Sequence, residues 1–244
     1  MKLPVLHGYI DRRMLVNFTA DPAVVRPLLP APFQPQLYQG KAVVGICLIR
    51  LRQIKPKGLP GWLGVNSENG AHRIAVEWEE AGQLRQGVYI PRRDTSFCLN
   101  ALAGGRLFPG KHHLAAFDVR EASGSYHVSF TSADGTSLSV DAQETAHFAP
   151  DSIFSSLAAA SAFFEQGAVG YSPGTYGYEG IRLHARQWQV RPLDVLRVQS
   201  SFFEDAHNFP PGSIRFDNAL LMTNIEHEWH GQPTKRRRAN ECCG

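Results

Sequence analysis

A chain of 244 residues, 43% of them hydrophobic, can close a sizeable core as one domain, burying roughly 70% of its unfolded surface without disulfide staples. Of its 25 basic and 22 acidic residues, Lys235-Arg236-Arg237-Arg238 and Glu241 lie in the last ten positions, so the rest is electrically neutral and offers nucleic acid no basic footprint. The four cysteines contain no C-x-x-C pair, which argues against a zinc ribbon or redox dithiol. The absence of an apolar leader and of any run near 18 apolar residues points to a soluble cytoplasmic protein with no membrane partner.

In chain order, Asp21 is placed to cap a short helix over Pro22 to Leu29, with proline at the first helical position. Strand-like runs rich in β-branched and aromatic residues follow at Lys41 to Leu51, Ala71 to Trp78 and Gln86 to Ile90. Asp94 can cap a second helix from Thr95 to Ala103, ended by Gly104-Gly105. Further strands are expected at Leu114 to Val119, Ser125 to Phe130 and Leu138 to Asp141, the last two joined by a hairpin turn at Ala133-Asp134-Gly135-Thr136. Asp151 heads a third helix, Ser152 to Phe164, closed by Gly167, and Gly170 to Tyr178 reads as a flexible aromatic loop. The strands Ile181 to Trp188, Val195 to Phe203 and Ala219 to Trp229 complete the pattern. Many strands with few helices predict an α+β fold: a mainly antiparallel β-barrel or cone with a few helices packed outside, one domain over 1–232 and a basic, disordered tail over 233–244.

The segment Leu107-Phe108-Pro109-Gly110-Lys111-His112-His113 holds the strongest chemical signal. An apolar wall or a second cation lowers the pKa of a lysine and makes it an amine able to form a Schiff base, although a lysine after Pro-Gly is also an ordinary solvated turn residue. On a strand, Lys111 and His113 would share a face and His112 would turn to the surface. Gly170-Tyr171-Ser172-Pro173-Gly174 matches G-x-S-x-G, but Pro173 has no N-H to donate to an oxyanion and the segment lacks the strand-to-helix elbow, so Ser172 is expected to be inert. His227 and His230 sit in a strand-like run where they would point oppositely, so no metal is expected; with no phosphate-cradling glycine pattern, no cofactor is expected either.

Several segments, taken in order, resemble the acetoacetate decarboxylase-like superfamily. Asn17-Phe18-Thr19-Ala20-Asp21-Pro22 with Val24 to Pro30 is similar to its opening strand and capped helix, Asn66-Ser67-Glu68-Asn69 to the segment of its active-site glutamate, and Glu80-Ala81-Gly82-Gln83 to the next loop. Phe108-Pro109-Gly110-Lys111 resembles its Tyr-Pro-Lys-Lys motif. Glu68-Asn69 with Arg73, and His184 with Trp188, bring the chain nearest to the YqjF-like bacterial branch.

The resemblance covers roughly residues 10–230 and implies a cone-like fold with a polar site inside. It implies a small oxo acid or carbonyl compound as ligand. Lys111 and Glu68 would be the catalytic pair of a Schiff-base lyase of the decarboxylase, aldolase or dehydratase kind, and His113, Arg73 and Phe108 would bind substrate. The motif departs from the family at two places: Gly110 stands where the imine-forming lysine would be, leaving Lys111 at the helper position, and Thr19 replaces an arginine. Efficient acetoacetate decarboxylation is therefore not expected, and the alternative is a non-catalytic binding module on the same fold. A homo-oligomer is compatible with either reading.

Overall fold

The computed structural model describes residues 4–98, 110–175 and 177–236. Thirteen strands lie among them: β1 (Leu6–Ala20), β2 (Gln34–Pro35), β3 (Leu37–Tyr38), β4 (Lys41–Pro56), β5 (Val65–Glu80), β6 (Gln83–Thr95), β7 (His112–Ala122), β8 (Ser125–Ser132), β9 (Ser137–Glu144), β10 (Val169–Gly174), β11 (Gly177–Ala185), β12 (Arg191–Ser200) and β13 (Ile214–Lys235). Two helices accompany them, α1 (Pro22–Val25) and α2 (Leu157–Gln166). Among the described residues no helix is long and apolar enough to cross a membrane.

The sheet closes on itself twice. One circuit of paired strands runs β13-β1-β4-β5-β6-β10-β11 and returns to β13; the other shares β13 to β6 and returns through β7, β8, β9 and β12. The shared strands are therefore covered on both faces, which is why runs such as Ala42 to Ile46 are buried at every position. The main core fills the nine-strand circuit with Met14, Val16, Val44, Ile46, Leu48, Ile74, Val128, Phe130 and Val140. Alternate residues of the same strands, Leu15, Val43 and Ala75, face the other way and pack on α2 through Ala160, Phe163 and Phe164.

The expected strands are present, mostly longer than predicted, and the expected turn joins β8 to β9. The sheet is ring-like and mixed instead of purely antiparallel, because β6 pairs in parallel with both β7 and β10. Asp21 caps α1 as expected, its Oδ1 accepting from the Ala23 N-H at 2.9 Å. The third predicted helix starts later, with Ser156 and not Asp151 as its cap, because Ser152 and Ile153 are held by Asp217 through bonds of 2.7 and 2.8 Å. It packs against the shared sheet through Ala160, Phe163 and Phe164, with Ala158, Ala162, Glu165 and Gln166 exposed on its other face. For the helix predicted at Thr95 to Ala103, residues 99–103 lie outside the described ones, and Thr95 ends β6.

Gly170 to Tyr178 is not a loop but most of the β10-β11 hairpin, its Tyr171 and Tyr178 rings packed near Phe33. At the other end of the chain β13 continues past 232 to Lys235, whose ammonium lies over the rings of Trp78 and Tyr171 and reaches Glu80 at 2.7 Å.

Candidate functional site

Strand alternation across the shared sheet sends adjacent polar residues into different chambers. On β1, Arg12 turns into the nine-strand circuit; it donates to Glu68 at 2.7 Å and to Glu121, while Arg50 bonds the same two carboxylates, reaching Glu121 at 3.1 Å. Arg12 is only 2% exposed. Two arginines and two glutamates thus tie β1, β4, β5 and β7 together in an array of opposite charges, which Asp11 extends from Arg50 at 3.6 Å to Arg52 at 3.2 Å.

Arg13 turns the other way, into a cavity of about 120 Å³ inside the seven-strand circuit. That volume suits one small organic molecule. Much of its wall is apolar, formed by Ile49, Leu51, Val88, Ile90, Ile181, Leu183 and Trp229, and its polar lining includes Arg13, Cys47, Asn69, Arg73, Arg93 and His112. Asp94 also lines it, but that carboxylate is engaged by Arg92 at 2.7 Å and by the Ser132 hydroxyl at 2.6 Å.

The three guanidiniums are held by neutral partners. Arg13 lies over the Trp188 ring and donates through Nε to the Cys47 sulfur at 3.4 Å. Arg73 is buried, lies over the Phe164 ring and donates to Asn17, which in turn donates to Asn218 at 2.8 Å. Arg93 donates to Ser172 Oγ at 2.8 Å. Among the described residues none of the three pairs with a carboxylate, and Arg73 Nε and Arg13 Nη1 are buried without a hydrogen-bond partner. Burial pushes Arg73 and Arg93 down to about 10, so both remain cationic at neutral pH. Buried cations without counter-charge are costly, and an anion is the species that relieves that cost.

His112 is neutral, pushed down to about 3 by burial and by the neighbouring Arg93, and its Nδ1 lies 3.1 Å from the Gly110 carbonyl. That contact makes Nδ1 the protonated nitrogen and places the ring lone pair on Nε2. The cavity therefore combines fixed positive charge, apolar walls and a neutral base.

Of the residues singled out from sequence, Arg73 is in the cavity. Lys111 is exposed and does not line it, and Glu68 belongs to the Arg12 and Arg50 array on the opposite face of β5, so the two do not share a pocket. His113 faces outward within 3.6 Å of Asp134, and it is His112 that turns inward. The parity argument holds, but its assignment of sides is reversed, because the strand presents its even residue to the cavity. Phe108 lies outside the described residues.

Gly110 has a φ of +88°, and a Cβ there would stand 2.5 Å from Ser172 Cβ and 3.6 Å from Arg93 Nε, so the Arg93-Ser172 pair leaves no room for a side chain at this position. Ser172 is buried in a hairpin strand and bonded to Arg93, a setting unlike a nucleophile elbow.

Sequence reasoning passed over Arg13, Arg93, Cys47 and His112. The available signal was the doublets Arg12-Arg13, Arg92-Arg93 and His112-His113, since a strand buried on both faces must send one member of each pair to either side.

The chain belongs to the family DUF2071, described as an uncharacterized conserved protein (COG2071), whose model matches residues 10–222. An acetoacetate decarboxylase-like enzyme from Sphingomonas wittichii RW1 has the same fold at 12% identity and a TM-score of 0.57, the match covering 96% of this chain and 92% of that one. Acetoacetate decarboxylase from Legionella pneumophila matches at 11% identity and a TM-score of 0.59, over 97% and 88% of the two chains. The enduracididine biosynthesis enzyme MppR complexed with pyruvate matches at 11% identity and a TM-score of 0.55, over 97% and 91%. At these identities the likeness is one of fold. Comparison with curated protein sequences gives no match.

Proposed function

We propose that this protein binds a small oxo acid or similar carboxylate in the seven-strand cavity, with Arg73 and Arg93 as principal anion contacts and Arg13 completing the positive wall. The observation that carries this reading is a set of three guanidiniums without a carboxylate partner among the described residues, around a cavity of about 120 Å³. A structural neighbour holds pyruvate, a ligand of matching charge and size. The apolar wall accepts a short carbon skeleton.

The imine route through Lys111 and Glu68 receives no support from this geometry: the amine is exposed, and the carboxylate is committed to two arginines. The reading favoured is a binding cavity addressed to carboxylates, without Schiff-base lyase chemistry at Lys111.

Calorimetric titration with pyruvate and acetoacetate, beside a neutral control such as acetone, tests the proposal. Saturable binding of the acids that weakens with added salt is expected. No binding of either acid, or equal binding of acetone, would overturn it.

A further inference from the structure

Cys47 occupies the centre of the cavity's charged wall, and pairing register fixes its surroundings. It lies opposite Leu15 on β1 and Ala71 on β5, and Ala71 in turn lies opposite Arg93 on β6. Arg13 and Arg73 are two residues from Leu15 and Ala71 on the same faces, which makes them diagonal neighbours of Cys47, within reach of long side chains. The row thus reads Leu15, Cys47, Ala71, Arg93, with a methyl group between thiol and arginine, and Arg13 and Arg73 flank Cys47 diagonally on either side. Arg13 Nε donates to the Cys47 sulfur at 3.4 Å, and Arg73 and Arg93 line the same cavity. Cys47 is half-buried, in contact with the cavity and in no disulfide. The buried, unpartnered Nε of Arg73 in the same wall is an independent mark of a missing ligand.

We infer that Cys47 is a nucleophilic site for small anionic electrophiles: the carboxylate of the incoming molecule takes the guanidiniums, and its electrophilic carbon is left beside the sulfur. Reactive cysteines occupy such electropositive, partly exposed settings. With a 2-oxo acid, a bond forms between sulfur and the carbonyl carbon, the C=O π pair moves to oxygen, and the thiol proton ends on that oxygen. The product is a thiohemiketal, reached without oxidant or reductant. With a haloacetate the S-C bond forms as halide leaves with the bonding pair, and the thiol proton passes to solvent.

The inference rests on the cavity being anion-selective, as the proposed function requires, and one experiment separates the two. The native full-length chain is treated at neutral pH with iodoacetate or with iodoacetamide, reagents of similar size that differ in charge, and alkylation at each cysteine is followed by peptide mass spectrometry. Exposed Cys98 serves as internal control. The iodoacetate-to-iodoacetamide rate ratio at Cys47 should exceed that at Cys98 by roughly tenfold, the gain expected of a cleft lined by one sign of charge. Salt should reduce the excess, and Arg73→Gln and Arg93→Gln should each lower it.

Equal ratios at Cys47 and Cys98, a Cys47 that stays unmodified while Cys98 reacts, or an excess unchanged in both arginine variants would overturn the inference. Pyruvate binding by calorimetry without the excess at Cys47 would leave the proposed function standing and remove Cys47 as nucleophile. An excess without binding of either oxo acid would support Cys47 and remove the oxo-acid reading.

Discussion

Arg12 and Arg13 are consecutive on β1 and never meet: one is neutralised by Glu68 and Glu121 in the nine-strand circuit, the other faces the seven-strand cavity and donates to the Cys47 sulfur. Strand alternation likewise separates Glu68 from Asn69 and Arg92 from Arg93, and turns His113 outward while His112 faces the cavity. One face of the sheet spends its charges on holding strands together; the other keeps positive charge in reserve. Substitutions of like chemistry on the two faces should therefore have unlike consequences.

Glu68→Gln should act on stability. Removing one carboxylate leaves Arg12, at 2% exposure, with Glu121 as its only ionised partner, and breaking a buried pair from one side costs about 3 kcal/mol. Urea denaturation of the variant should show that loss, with oxo-acid affinity unchanged at temperatures where it is folded. A variant of native stability that fails to bind would return Glu68 to the ligand site.

Arg73→Gln should act on affinity. A charge-assisted hydrogen bond to a carboxylate contributes about 2 kcal/mol, which corresponds to roughly a thirtyfold rise in the Kd for pyruvate. Loss of the guanidinium also removes an uncompensated buried charge, so stability should hold or rise. Calorimetry beside a denaturation curve reads both effects, and unchanged affinity in a folded variant would exclude Arg73 as an anion contact.

Lys111→Ala should leave oxo-acid binding within about twofold of the parent, since an exposed ammonium adds little to a contact inside the cavity. Borohydride added with pyruvate should trap no covalent mass on the parent chain, because only an imine is reduced irreversibly. A trapped adduct mapped to Lys111 would reinstate the Schiff-base reading.

The strands were legible because β-branched and aromatic runs such as Ala42 to Leu51 carry their signal whether one face or both are buried. What local sequence could not convey was the second closure. Nothing within Gly170 to Tyr178 announces that Tyr171 and Tyr178 pack near Phe33, or that β11 pairs with β13 some fifty residues later, so a hairpin wall read as a loop. Without that wall the cavity has no location, and Lys111 and Arg93 cannot be sorted into outside and inside. Arg73 was reached through the resemblance, but the doublet Arg12-Arg13 needed knowledge that β1 has two buried faces.

Gly110→Ala should be destabilising by about 1 to 2 kcal/mol. The φ of +88° disfavours any L-residue, and the added methyl would stand 2.5 Å from Ser172 Cβ, on a turn whose Gly110 N-H donates to Glu179 at 2.9 Å. Because Ser172 carries the bond from Arg93, displacement of that turn should also weaken pyruvate binding. A variant matching the parent in both stability and affinity would show that the turn adjusts without cost.

Stability should fall as the pH drops from about 6.5, through histidines held neutral. His72 is wholly buried, stacked on Phe202 with its Nε2 3.0 Å from Ser200 Oγ, and burial pushes it down to about 3; burial likewise lowers His112 to about 3 and His227 to about 4. In the unfolded chain each titrates near 6.5, so between that value and the folded one the unfolded state binds more protons. The contribution is therefore complete above pH 6.5 and is lost progressively as the pH falls toward 3 to 4. For a group as buried as His72 the slope approaches about 1.4 kcal/mol per pH unit. Ordinary carboxylates titrate below pH 5, so urea denaturation between pH 5 and 6.5 isolates the histidine effect. Over that window the parent should lose stability steadily, and His72→Phe, which keeps an aromatic ring against Phe202, should lose it with a shallower slope. A parent curve flat from pH 6.5 to 5, or a slope unchanged in His72→Phe, would show that these imidazoles do not carry the acid sensitivity.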